Sequence, residues 1–113
     1  MTLEPGSIVT VPFPYTDLSA SKRRPVLVLT AINERGDFIG MALTSKPRAS
    51  HAVAVAKGPL ARGGALPSDS WICTDKVVTL RQSVVLKTLG RTDSQTRAEC
   101  VRGLCGFLNA AEV

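Results

Sequence analysis

The chain has 113 residues, 44% apolar and 20% charged, which suits one domain with a real core and excludes an intrinsically disordered chain. Fourteen Lys and Arg against nine Asp and Glu give a formal charge of +5, which attracts polyanions such as nucleic acid or an acidic protein. Cys73, Cys100 and Cys105 form no CxxC, which argues against a disulfide framework or zinc site and for reduced thiols in a cytoplasmic protein, and no apolar run reaches the ~20 residues of a membrane span.

Pro5-Gly6 is a turn signal. Residues 7–13 follow, with Val9, Val11 and Phe13 alternating against Thr10 and Pro12, which predicts a strand with one buried face. Pro12 lacks a ladder donor and belongs at an edge or bulge. Residues 14–23 read as a polar loop. Residues 25–30, PVLVLT, are a continuous apolar run and predict a strand buried on both faces. A turn at Gly36 then leads to a strand over 38–44, giving a hairpin. Further strands are expected over 51–56, 70–79 and 84–89, with an irregular glycine- and proline-rich stretch over 57–67.

The period then changes. Ala98, Val101, Leu104, Cys105 and Leu108 recur at three- and four-residue steps, as on the buried face of a helix. Thr92 with Gln95 fits a capping box. Gly103 and Gly106 weaken such a helix by about 1 kcal/mol each, unless they permit close packing. Six short strands and a terminal helix predict one small barrel or sandwich over residues 1–113.

The common catalytic constellations are missing. His51 is the single histidine, so paired-imidazole catalysis within one chain is excluded. There is no GxSxG, P-loop or GxGxxG, and no carboxylate cluster for a metal, so a nuclease here works without one and needs no cofactor. Lys22-Arg23-Arg24-Pro25 is the densest basic run. Proline fixes the approach of Arg24 to the strand, so its guanidinium can grip a phosphate with two parallel hydrogen bonds. The competing reading is a solvated basic loop. Thr44-Ser45-Lys46 stands at the exit of the third strand. If the second and third strands pair, Arg24 and Thr44 share a rim, where a hydroxyl can bind phosphate; otherwise Thr44 merely ends a strand.

Two stretches free of acidic residues supply further cations for a phosphate groove. Residues 46–64 carry Lys46, Arg48, Lys57 and Arg62, and residues 76–91 carry Lys76, Arg81, Lys87 and Arg91. Tyr15 and Trp71 are suited either to stacking on bases or to a core or dimer seam.

These segments, in this order, resemble the PemK/MazF toxins of type II toxin–antitoxin pairs. The resemblance runs from GSIVTVPFPYTD (residues 6–17) through SKRRPVLVL (21–29) and ALTS (42–45). It continues with Ser70, Asp75 and Thr79, then Leu89-Gly90-Arg91 and the terminal helix. It implies a small SH3-like β-barrel of the CcdB/MazF/PemK type with a C-terminal helix, usually a homodimer. It also implies metal-independent, sequence-specific cleavage of single-stranded mRNA by the substrate's own 2′-OH, and a cognate acidic antitoxin. Arg24 and Thr44 fall on the family's catalytic arginine and threonine, and Asp75 on an acid/base position of some members. Tyr15, Ser21, Lys22, Arg23, Ser45, Lys46, Arg48 and Lys76 are the expected RNA contacts. Departures from the family pattern are Ser7 for an acidic residue, Ser19, Ser21 and Lys22 in a loop that elsewhere carries Glu and Gln, and Cys73 or Thr74 for an arginine. The alternative is a non-catalytic protein on the same fold, either a CcdB-like gyrase inhibitor or an inactive PemK-like protein.

Overall fold

The computed structural model describes residues 3–14 and 21–110, with side chains for all of these except 13, 14, 21, 22 and 110. The strands are β1 (Ser7–Pro14), β2 (Ser21–Val28), β3 (Asp37–Thr44), β4 (Ala52–Val55), β5 (Gly58–Pro59), β6 (Ala65–Leu66), β7 (Ser70–Arg81) and β8 (Lys87–Arg91). Helix α1 (Ser94–Ala110) follows. Six strands form one curled antiparallel sheet in the order β4-β7-β3-β2-β1-β8, and β5 and β6 form a separate two-stranded ribbon.

Both faces of this sheet are apolar, which gives two small cores. Ile8, Leu27, Met41, Leu43 and Ile72 share one with Leu66 of the ribbon and Cys100 of α1. Val9, Val11, Val26, Val28 and Phe38 form the other, closed by Leu3 and by Val84 and Val85 at a short 3-10 turn. β2 is buried on both faces, as its unbroken apolar run predicts. β1 has two buried faces rather than one, because Ile8 meets the helix-side core while Val9 and Val11 meet the other.

Three local expectations need correction. β2 begins at Ser21, so the basic run is strand, not loop; its residues pair with Val11, Pro12, Phe13 and Pro14 of β1. The stretch 57–67 carries the ribbon, docked where Arg62 and Arg91 exchange backbone hydrogen bonds of 3.1 and 2.8 Å. The fit needs glycine, since a Cβ on Gly90 (φ +156) would stand 2.8 Å from the Arg62 carbonyl oxygen. The helix is capped by Asp93, not Thr92. The Asp93 carboxylate accepts the Thr96 N–H at 2.6 Å, which holds its pKa below the usual carboxylate value.

The buried stripe of α1 is also rotated from the expected one. Cys100 is buried, while Val101 and Leu108 are 37% and 59% exposed. Gly103 sets this rotation: a Cβ there would meet Thr74 Cγ2 at 2.8 Å, so the helix lies close against β7 at that point. Phe107 meets the His51 ring edge-on at 5.1 Å.

β7 carries the main irregularity. Its register with β3 shifts, so that Met41 opposes Val77 but Leu43 opposes Ile72. Residues 73–76 therefore bulge out of the ladder, with the Thr74 N–H donating to the carbonyl of His51, which has a positive φ of 53°.

Candidate active site

β2 and β3 pair through Val26↔Ala42, Leu27↔Met41 and Val28↔Gly40. Carried two steps further, this register leads to Arg24 and Thr44, so the two ends the sequence singled out belong to one rim. Arg24 also pairs with Val11 on its other side, and Pro25 follows it opposite Thr10. Paired β backbone thus fixes the base of the Arg24 side chain from β1.

A cleft of about 520 Å³ opens at this rim. Arg23, Arg24, Ser45 and Lys46 line its basic side. Leu43, Leu66, Leu89, Pro25 and Pro67 make apolar walls, Ser68 and Ser70 add hydroxyls, and Thr10 is also part of the lining. Thr44 is adjacent but not part of the lining. Its Oγ1 accepts the Lys46 N–H at 3.1 Å, which fixes the turn that carries Ser45 and Lys46. Ser70 donates to the Ser68 carbonyl at 3.0 Å.

The hydroxyl of Thr10 is different. It is buried and has no hydrogen-bond partner. An unsatisfied buried hydroxyl costs roughly 1–3 kcal/mol. Thr10 lies two residues from buried Ile8 on the same strand face, the face that the alternation in the sequence marks as polar.

Asp75 and Arg48 stand apart from this lining and bind each other. Two parallel hydrogen bonds of 2.9 and 3.0 Å join them. The Arg48 guanidinium holds the Asp75 carboxyl below its usual range, and the carboxylate raises Arg48 in turn. The β7 bulge presents Asp75 for this contact. Lys76 is exposed on the same bulge and lines no part of the cleft. Tyr15, and the side chains of Ser21 and Lys22, lie outside the described residues.

The two basic stretches do not make one groove. Arg81 pairs with Asp37 at 3.7 Å and Arg91 with Glu4 at 2.6 Å, so ion pairs take cations that composition alone left available. Arg62, Arg91 and Arg97 line a second cleft of about 320 Å³ at the start of α1. There Arg97 donates to the Leu29 carbonyl at 2.8 Å and Arg91 to that of Pro5 at 3.1 Å. Among the described residues no three His, Cys, Asp or Glu side chains gather as for a metal ion, and no helix is long and apolar enough to cross a membrane.

A curled antiparallel sheet, a terminal helix and a basic cleft at the β2–β3 rim define the toxin class that the sequence resembles. The chain belongs to the PemK-like, MazF-like toxins of type II toxin–antitoxin systems, whose family model matches residues 4–108. The fold is similar to that of the Mycobacterium tuberculosis toxin MazF-mt6, at 18% identity and a TM-score of 0.67 over 91% of this chain and 96% of that one. It is similar also to an endoribonuclease from a mycobacterial species, at 20% identity and a TM-score of 0.67 over 95% of this chain and 91% of that one. No curated protein sequence matches the chain.

Proposed function

We propose that this toxin is a metal-independent endoribonuclease that cuts single-stranded mRNA at particular sequences and so stops translation and growth. The observation that supports this most is the cleft itself, with Arg23 and Arg24 from β2 facing Ser45 and Lys46 from the exit of β3. Such a rim suits one backbone phosphate and the strand around it.

The reaction needs no nucleophile from the protein. The 2′-oxygen of the nucleotide before the cut attacks the phosphorus, and the bond from phosphorus to the 5′-oxygen breaks. The products are a 2′,3′-cyclic phosphate and a 5′-OH, the 2′-OH giving up its proton to water and the leaving 5′-oxygen taking one from water, so that protons balance. The protein aligns the phosphate and stabilises the charge that builds on its oxygens. Arg24 does this with its planar fork, and Thr44 holds the Ser45–Lys46 turn and offers its hydroxyl to the same phosphate. Asp75 acts through Arg48: its lowered pKa suits it to holding the guanidinium toward RNA rather than to accepting the 2′ proton.

The partners follow from the family and from charge. A type II toxin has an antitoxin, and a chain of +5 suits an acidic one whose disordered tail covers the cleft. The apolar side chains left exposed on α1 suit a homodimer. The test is to incubate purified protein with a long RNA in EDTA and map the ends. The expected result is discrete cuts with cyclic-phosphate termini, lost when the nucleotide before the cut lacks its 2′-OH. Cleavage of an all-DNA strand, or strict Mg²⁺ dependence, contradicts the mechanism.

A further inference from the structure

We infer that Asp69 is a positioning residue for RNA binding: it never touches RNA, and it fixes the segment 67–70 that supplies one wall of the cleft. This rests on the reading of the cleft as the RNA site. Pro67, Ser68 and Ser70 line the cleft, whereas Asp69 is exposed and does not. A carboxylate next to a site for a polyanion is unfavourable through its charge, so its use must lie in what it accepts.

The topology shows the need. The β4–β7 ladder ends at Val55↔Ser70, and the chain beyond it is pinned again where Gly58 pairs with Leu66 in the ribbon. Between these pairs the two legs are unequal. One is Ala56 and Lys57, and the other is Pro67, Ser68 and Asp69. The longer leg has one residue too many to lie flat, as in a β-bulge, and bows out. Pro67 and Ser68 of this leg line the cleft, and neither residue of the shorter leg does. Pro67 has no N–H with which to pair across the legs. The Asp69 side chain makes the link, its Oδ1 accepting the Lys57 N–H at 2.7 Å. The Ser70 hydroxyl then ties the bowed leg to itself by donating to the Ser68 carbonyl at 3.0 Å, and buried Leu66 anchors its far end in the core. Asp69 thus sets how far Pro67 and Ser68 stand out into a cleft whose other side carries Arg23, Arg24 and Lys46.

The test compares three variants. Asp69→Asn removes the charge and keeps the acceptor, Asp69→Ala removes both, and Asp69→Glu keeps the charge but misplaces the acceptor. Affinity is read by fluorescence anisotropy with a mixed-sequence RNA carrying 2′-O-methyl groups throughout, which cannot be cut. Asp69→Ala is expected to bind about tenfold more weakly than wild type, although loss of a negative charge alone tightens binding to a polyanion. Asp69→Asn is expected to bind at least as tightly as wild type, and Asp69→Glu more weakly. On natural RNA the saturated single-turnover rate stays near that of wild type in all three, because Asp69 touches no reacting atom. Equal affinities for Asp69→Ala and Asp69→Asn overturn the inference, as does a fall in the saturated rate with affinity unchanged. If Asp69→Ala does not fold, the opposite effects expected of Asp69→Asn and Asp69→Glu decide. The expected pattern of binding without cleavage of natural RNA overturns the nuclease reading and leaves Asp69 its role, whereas a wild type that binds no RNA overturns both.

Discussion

Under the proposed mechanism Asp75, joined to Arg48 by two parallel hydrogen bonds, clamps that guanidinium rather than serving as the base. Its lowered pKa means that the ion pair with Arg48 stabilises the fold above the ordinary Asp value, near 3.9, and is lost as pH falls through the lower native value. Asp75→Asn should therefore lower stability above about pH 4, where the ion pair is intact, and flatten the loss of stability below it, as urea titrations at several pH values can show. The same variant should weaken RNA binding several-fold while single-turnover cleavage at saturating protein stays within about tenfold of wild type; loss of a true general base costs about 10²–10⁴. A larger fall in the saturated rate makes Asp75 the base and removes its role as a clamp. The sequence could place Asp75 on its strand. It could not show that Arg48, 27 residues earlier, would occupy it, since that contact depends on the β7 bulge.

Seating of α1 makes two glycines of one helix behave in opposite ways. Nothing lies within 4 Å of a Cβ built on Gly106, so Gly106→Ala should stabilise the protein by about 0.5–1 kcal/mol. At Gly103 the new methyl meets the branched Thr74 side chain at 2.8 Å, and overpacking costs about 1–3 kcal/mol, more than the helix gains. Urea midpoints should rise for Gly106→Ala and fall for Gly103→Ala; equal rises contradict the close approach. The strands were legible because their apolar residues cluster at strand length, and the β2–β3 hairpin followed from Gly36. The helix was legible as a period but not as a face: Val101 and Leu108 keep that period, yet the contact of Gly103 with Thr74 turns them outward. The ribbon over 58–66 was not legible at all, because its two short strands are held by Gly64 and Gly90 rather than by a hydrophobic pattern.

At the scale of the molecule, the turned-out side chains Val101, Phe107 and Leu108 lie on the same helix as Cys100, which anchors it to the core. Under the homodimer proposal these side chains meet a second copy. Sedimentation at micromolar concentration should then give a dimer, and Leu108→Glu should shift it toward monomer; a wild-type monomer contradicts the proposal. Charge is distributed less simply than the sequence suggested, since ion pairs occupy Arg48, Arg81 and Arg91 while Arg23, Arg24 and Lys46 gather at one cleft. The central claim is that Arg24 stabilises the reacting phosphate. It is tested by single-turnover cleavage of RNA at saturating protein, comparing wild type, Arg24→Ala, Arg24→Lys and Arg23→Ala, each confirmed folded. The account predicts a fall of about 10²–10³ for Arg24→Ala, the loss typical of one transition-state donor. It predicts a severe defect in Arg24→Lys, because a point charge cannot replace a planar fork, and for Arg23→Ala weaker binding with a nearly normal saturated rate. A near-normal saturated rate in Arg24→Ala contradicts it.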